Sequence, residues 1–420
     1  MSREKKKIYV YADWIEHGTP VFMGILSVEF LRGKELFSFE YTDDWLKSDN
    51  TQLLDPDLGL YSGVQYLRDE KSNFGLFLDS APDRWGRVLM KRREAILARL
   101  EKRPVNILRE TDFLLGVYDL HRMGALRFKL AQDGDYLDNN KDYSVPPWSS
   151  IRDLEYASLE LEKNIERDNP DLLKWLNVLM APGSSLGGAR PKASVQHTDG
   201  SLWIAKFPSN NDETDIGAWE MVVNELAQKS GINTPEAVIN KYNNKHHTYL
   251  TKRFDRTADG NRIHFSSAMT LLGYTDGFGA DEGVSYLEMV EFIIQNGAKI
   301  KDDLTELFRR ITFSIAVSNT DDHLRNHGFI LTKQGWILSP AYDINPNPYG
   351  TSLKLNISEN DNSLDFNLAL SVAPYFRLTD KEAVDIIEHI KSTVAKWLET
   401  ATKYRISKSA CKMMSTAFRS

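Results

Sequence analysis

The chain has 420 residues and a mass of 48.0 kDa, more than one hydrophobic core normally organises, which predicts two domains or one domain of two lobes. Its 41% hydrophobic and 26% charged residues and net charge of -7 fit an ordinary globular protein and argue against a nucleic-acid surface that works unaided. A single cysteine, Cys411, excludes an internal disulfide and a thiolate metal cluster and fits a reducing compartment.

The basic start Met1–Lys7 leads into Ile8-Tyr9-Val10-Tyr11-Ala12-Asp13, which turns polar too early for a signal-peptide core. No apolar run is long enough for a spanning helix, so the expected location is cytoplasmic. Ile8, Val10 and Ala12 alternate as a strand does. Val21–Leu26 and Leu36–Tyr41 read as further strands, the latter with Phe37, Phe39 and Tyr41 on one face. Phe74–Arg92 reads as helical, with Pro82-Asp83-Arg84 near its middle. Asp112–Leu115 begins a short helix and Gly124–Phe128 returns to strand.

Asp133–Asp135 and Asp138–Pro147 are rich in Gly, Asn, Asp and Pro, and form the best linker signal in the chain. Helical periodicity resumes at Ile151. Ala193–Val195 and Leu202–Lys206 are expected to pair across Asp199-Gly200. Ile216–Ser230 reads as a helix stopped by Gly231, and Thr248–Phe254 as a strand. Leu304, Leu307, Phe308, Ile311 and Ile315 repeat at helical spacing. Val384, Ile387, Val394 and Leu398 mark a late helix. The expected domains are 1–145 and 146–410, and the expected fold class is α+β: a two-lobed, protein-kinase-like fold with an additional N-terminal α/β subdomain.

The chemistry concentrates in Asn319-Thr320-Asp321-Asp322-His323-Leu324-Arg325-Asn326, with Asp343 seventeen residues after Asn326. Gly328–Leu331, Gln334-Gly335 and Trp336–Leu338 predict a tight hairpin between them, which can return Asp343 to the start of the loop. Phosphoryl transfer needs an aligned hydroxyl and magnesium held against the phosphates. Asp321 is the candidate base, and Asn326 and Asp343 are oxygen ligands suited to a hard cation. His323 is a second catalytic candidate, its alternative being a hydrogen bond within the loop. Asp322 is read as structural, as are Asp83, Arg84 and Arg87.

The loop Gly183–Lys192, with Ser185, Gly187, Gly188 and Lys192, suits backbone amides that cradle phosphate, although it is not the P-loop pattern. Lys206, at the end of an apolar strand, needs a counter-charge. ATP phosphates would supply one, with Glu220 fixing the ammonium. Lys252–Phe254 is a candidate edge for adenine. Arg253, Asp255 and Arg256 are expected to form a salt-bridge cluster at the junction between lobes, and His246-His247 an exposed hairpin tip.

Five segments carry a resemblance to the HipA-type serine/threonine protein kinases, the toxin halves of type II toxin–antitoxin systems. They are Phe77–Arg84, Ser185–Lys192, Ile204–Pro208, Arg253–Arg256, and Asn319–Asn326 with Tyr342-Asp343. The resemblance implies ATP and Mg2+ as cofactors, with Lys206 as the ATP-binding lysine and Asp321 as the catalytic aspartate. It implies Asn326 and Asp343 as metal ligands and Ser185 (or Ser184) as an autophosphorylated residue whose modification shuts off ATP binding. It further implies a helix-turn-helix antitoxin of the HipB type and operator DNA contacted through that complex. The implied substrate is a protein bearing Ser or Thr, an aminoacyl-tRNA synthetase being one such target. Departures are Asp322 where the family often has Gly, Arg190-Pro191 in place of a Gln-Glu pair, and Lys252 in place of Glu. Two other readings stay open: a small-molecule hydroxyl kinase, and a catalytically degenerate module that only docks a repressor.

Overall fold

The computed structural model describes residues 5–14, 19–49, 51–67, 71–140, 146–163, 176, 179 and 190–420. By compactness the chain forms two units, Met1–Asn210 with Arg253–Ser266, and Asn211–Lys252 with Ser267–Ser420.

The first unit is built on five strands in the order β4-β3-β2-β1-β5: β1 (Lys5–Ala12), β2 (Val21–Leu31), β3 (Lys34–Tyr41), β4 (Gln65–Tyr66) and β5 (Leu126–Lys129). Every pairing is antiparallel. Ile8, Val10 and Ala12 are fully buried on one face of β1, and Phe37, Phe39 and Tyr41 on one face of β3, as period-two patterning requires. The expected helix over Phe74–Arg92 is two helices, Gly75–Leu78 and Arg84–Leu100. Pro82 has no amide to continue the first, and Asp83 starts the second by accepting from Gly86 N at 2.8 Å. The helix Ile151–Lys163 and the hairpin of β6 (Lys192–Gln196) with β7 (Leu202–Lys206) follow. Gly200 turns that hairpin at φ +87°, a backbone that L side chains rarely adopt.

Arg253–Ser266 is fastened to residues 119–127 by charge. Asp255 is fully buried and takes Arg253 at 2.7 Å and Arg256 at 2.6 Å, with Gly124 N at 2.9 Å. Burial opposes its ionisation, but the two guanidiniums win and hold its carboxyl well below the usual range. Arg262 adds a 3.0 Å contact to Asp119. The expected Arg253–Asp255–Arg256 cluster therefore forms, and it lies within the first unit.

The second unit holds the hairpin β8 (Ala237–Asn240) with β9 (Thr248–Lys252), and, after the short strand β10 (Phe265–Ser267), the hairpin β11 (Gly328–Thr332) with β12 (Gly335–Leu338). Its core joins three helices, Ile216–Lys229, Ile300–Ala316 and Asp380–Val394, through Trp219, Val223, Phe313, Ala316 and Ile390. Fully burying each large apolar side chain contributes about 1.5–3 kcal/mol. The late helix expected through Leu398 breaks after Val394 and restarts at Trp397. The strand expected through Phe254 ends at Lys252. His246 and His247 are not an exposed tip: His246 is buried with its ring on Asp212 O at 3.2 Å, and His247 meets Asp215 at 2.6 Å. Among the described residues no helix is long and apolar enough to cross a membrane.

Candidate active site

The Ile300–Ala316 helix buries Leu304, Leu307, Phe308, Ile311 and Ile315, so its direction is fixed before the chain leaves it. Ser318 then turns at φ 50°, and Asn319 N returns to Ser314 O at 2.9 Å. This sharp exit brings the polar segment out beside its own helix end. Left-handed backbone at a non-glycine residue costs roughly 1–2 kcal/mol, a strain the buried helix can support.

Downstream, Ala341 packs into the helical core and its amide bonds Asn233 O at 2.7 Å. Asp343 follows with φ 59°, a conformation that Asp tolerates better than branched residues. Three bonds tie this strip to the loop: Asn345 N to Asn319 Oδ1 at 3.1 Å, Asn347 N to Ser318 O at 3.1 Å, and the Tyr342 hydroxyl to Arg325 O at 2.7 Å. Asn345 Nδ2 also reaches Asp343 Oδ1 at 3.3 Å. The structure therefore brings Asp321, His323, Asn326 and Asp343 into one hydrogen-bonded system.

Within it, Asp321 is exposed while Asn326 is buried. Asn326 Nδ2 donates to Asp321 O at 3.0 Å. Asn326 Oδ1 is buried with no hydrogen-bond partner among the described residues, an arrangement that ordinarily costs about 1–3 kcal/mol. An orphaned carbonyl oxygen in the loop that Tyr342 fastens to the Asp343 strip suits a hard cation. Among the described residues no group of three His, Cys, Asp or Glu side chains could hold a metal, so such an ion would need phosphate or water oxygens as well. His323 is half-buried, its carbonyl takes Asn326 N at 2.8 Å, and its Nδ1 is buried without a partner among the described residues.

Asp322 points the other way. It is buried, takes the Tyr286 hydroxyl at 2.6 Å and Ser314 Oγ at 3.3 Å, and lies 3.0 Å from His327 Nε2. Burial raises its pKa, yet the charge and hydrogen bond of His327 and the Tyr286 bond outweigh that, leaving the carboxyl below its ordinary value. The loop is thus clamped from below. Tyr286 escaped the sequence reading because nothing local connects it to a residue 36 positions on. Its helix start was visible as the capping box Ser285-x-x-Glu288.

The remaining candidates divide. Glu220, buried on the Ile216–Lys229 helix, and Asp343 both bear on the fully buried Tyr249 hydroxyl, whose pKa burial and these charges push far up. Lys252 sits 3.8 Å from Glu236 and is half-exposed. Lys206, Lys192 and Phe254 belong to the first unit, where Phe254 packs on Phe265 at 5.7 Å. Lys206 is buried at the end of β7, directly opposite Lys192 on β6. Of these two cations, Lys192 has its counter-charge in Asp83: Lys192 Nζ lies 2.9 Å from Asp83 Oδ2 with both side chains buried. Lys192, expected at the phosphates, is held inside the protein instead. Ser184, Ser185, Gly187 and Gly188 lie outside the described residues.

Residues 184–398, more than half of the chain, match the family described as the HipA-like C-terminal domain. The chain belongs to that family. It is 28% identical over 186 residues to a presumed kinase of Haemophilus influenzae, covering 40% of this chain and 54% of that protein. It is also 28% identical over 157 residues to a second presumed kinase, from Sinorhizobium fredii, covering 34% of this chain and 37% of that one. The matched stretches thus span about half or less of these relatives' lengths. Among solved structures, HipA from the Shewanella oneidensis HipA–HipB–operator DNA complex superposes with a TM-score of 0.64 at 16% identity, over 98% of this chain and 94% of that one. The HipA-like chain thus has the mixed α/β, kinase-like HipA fold, and the resemblance read from its motifs is correct at the level of family and fold.

Proposed function

We propose that this HipA-like chain transfers the γ-phosphoryl group of ATP to Ser or Thr hydroxyls of proteins, and serves as the toxin of a toxin–antitoxin pair. The observation that carries the reading is the hydrogen-bonded system uniting Asp321, Asn326 and Asp343, with Asn326 Oδ1 buried and unpartnered among the described residues. Asp321, exposed at the loop's turn, accepts the acceptor hydroxyl's proton and aligns its oxygen. Asn326 and Asp343 would hold magnesium, which when bound neutralises phosphate charge. Lys206 and Glu220 are the proposed residues for the nucleotide phosphates, and Lys252–Phe254 for the base. Ser185, or Ser184, takes phosphate in autophosphorylation, adding negative charge to a phosphate-binding loop and weakening nucleotide binding.

The likeness to HipA in complex with HipB and operator DNA supports a helix-turn-helix antitoxin as partner, with operator DNA reached through the complex; residues 1–145 are the proposed contact. The test is incubation of purified protein with radiolabelled ATP and Mg2+. The wild-type chain should label itself and Asp321→Asn should not. Equal labelling of both forms overturns the catalytic assignment. Labelling of small polyols without self-labelling would indicate a small-molecule kinase, and absence of ATP binding with intact antitoxin binding a docking module. Phosphoproteomics after induced expression, with Asp321→Asn as control, tests an aminoacyl-tRNA synthetase as substrate.

A further inference from the structure

Asp343 sits on a stretch, residues 339–347, that belongs to neither a helix nor a strand. Its place therefore depends on individual bonds, and Pro346 and Pro348 have no amide to offer. The amide of Asn345 takes its acceptor from a side chain, Asn319 Oδ1 at 3.1 Å. Asn319 is equipped to hold it still. Only 2% exposed, it donates from N to Ser314 O at 2.9 Å and from Nδ2 to Ser314 Oγ at 3.3 Å. Ser314 is buried on the Ile300–Ala316 helix, and its hydroxyl donates in turn to Asp322 Oδ2 at 3.3 Å. From the other end of this chain of bonds, Asn345 Nδ2 donates to Asp343 Oδ1 at 3.3 Å.

We propose that Asn319 and Asn345 are positioning residues for the Asp343 carboxylate. Asn319 ties the Asn345 backbone to the end of the buried helix, and Asn345 restrains the carboxylate with a neutral donor that leaves its charge for a cation. The proposal rests on the reading of Asp343 as a magnesium ligand. The Asn345 amide has one workable orientation, because turned over it would set its oxygen against the carboxylate. That orientation leaves Asn345 Oδ1 buried with no hydrogen-bond partner among the described residues. An open buried acceptor is costly, and here it accompanies a donor kept on Asp343. Removing the outer hydrogen bond of a ligating carboxylate typically lowers metal affinity by roughly 10–100-fold. The 3.3 Å length of this bond places it at the low end of that range.

The test titrates the full chain, with the non-hydrolysable nucleotide β,γ-imido-ATP present, with Mn2+, a hard cation that electron paramagnetic resonance detects directly. Asn345→Leu should raise the Mn2+ dissociation constant about tenfold. It should not lower the thermal midpoint of the metal-free protein, because the orphaned oxygen leaves with the donor. Asn319→Ala should weaken Mn2+ binding in the same direction, and Asn319→Asp, which keeps an oxygen for the Asn345 amide, should weaken it less. Asp343→Asn is the reference and should lose tight Mn2+ binding. Wild-type Mn2+ affinity in folded Asn345→Leu, where Asp343→Asn has lost it, overturns the inference and leaves Asp343 a ligand. Undiminished Mn2+ binding in Asp343→Asn overturns the reading of Asp343 and the inference with it. A lowered thermal midpoint in Asn345→Leu, with equal losses in the two Asn319 variants, would show a merely structural role and also overturns it. Should Asn345→Leu fail to fold, Asn345→Ala decides on the same terms.

Discussion

The Tyr342 hydroxyl donates to the carbonyl of Arg325 at 2.7 Å, joining the residue before Asp343 to the residue before Asn326. It is one of the three bonds that tie the strip bearing Asp343 to the loop bearing Asn326. Tyr342→Phe should raise the Mg2+ concentration needed for half-maximal self-labelling by several-fold. The stability loss should stay near about 0.5–1.5 kcal/mol, the usual size for one hydrogen bond. An unchanged Mg2+ dependence would mean that the carbonyl contact does not set the ligand spacing.

Asp322 anchors the loop through Tyr286, Ser314 and His327. Its carboxyl is held below the ordinary value, so its contribution to stability is present above the unfolded pKa of about 3.9 and is lost as pH falls through the lower folded value. Asp322→Ala, which leaves buried His327 without its partner, should cost about 3–5 kcal/mol at pH 7. Chemical denaturation measures this. Tyr286→Phe should cost less, since it removes one hydrogen bond.

Lys192 and Asp83 form a buried ion pair 109 residues apart in sequence. Removing one partner strands the other charge, so Asp83→Ala or Lys192→Met alone should destabilise by about 3–5 kcal/mol. The double replacement Asp83→Leu with Lys192→Met should recover part of that loss. ATP affinity of folded Lys192→Met should change little. A large loss of ATP affinity at undiminished stability would instead return Lys192 to the phosphates.

His264 is buried and stacked on Trp14 at 4.4 Å, and burial pushes its pKa down to about 3. The unfolded chain takes up this proton near pH 6.5 and the folded chain does not. Stability should therefore fall as pH drops from about 6.5 toward 3. His264→Phe keeps the stack and removes the proton, so its thermal midpoint should decline less steeply over that window.

Much of the fold was legible because its signals are local. Alternation at Ile8, Val10 and Ala12, the turn at Asp199-Gly200 and the stop at Gly231 each act within a few residues. Where a local rule competed with another, the reading slipped. The run Phe74–Arg92 is apolar enough for one helix, but Pro82 and Asp83 end one and start the next. His246 and His247 sit among polar neighbours, yet Asp212 and Asp215 claim both rings from more than thirty positions away.

The sequence by itself determined the family and the spacing of Asp321, Asn326 and Asp343, because a loop and the hairpin after it are short enough to be written as consecutive residues. Tertiary structure alone decided which charges are already neutralised. Asp83 takes Lys192, and His327 and Tyr286 take Asp322. Electrostatic partnership depends on distance through space and on exclusion of water, and neither can be counted along a chain.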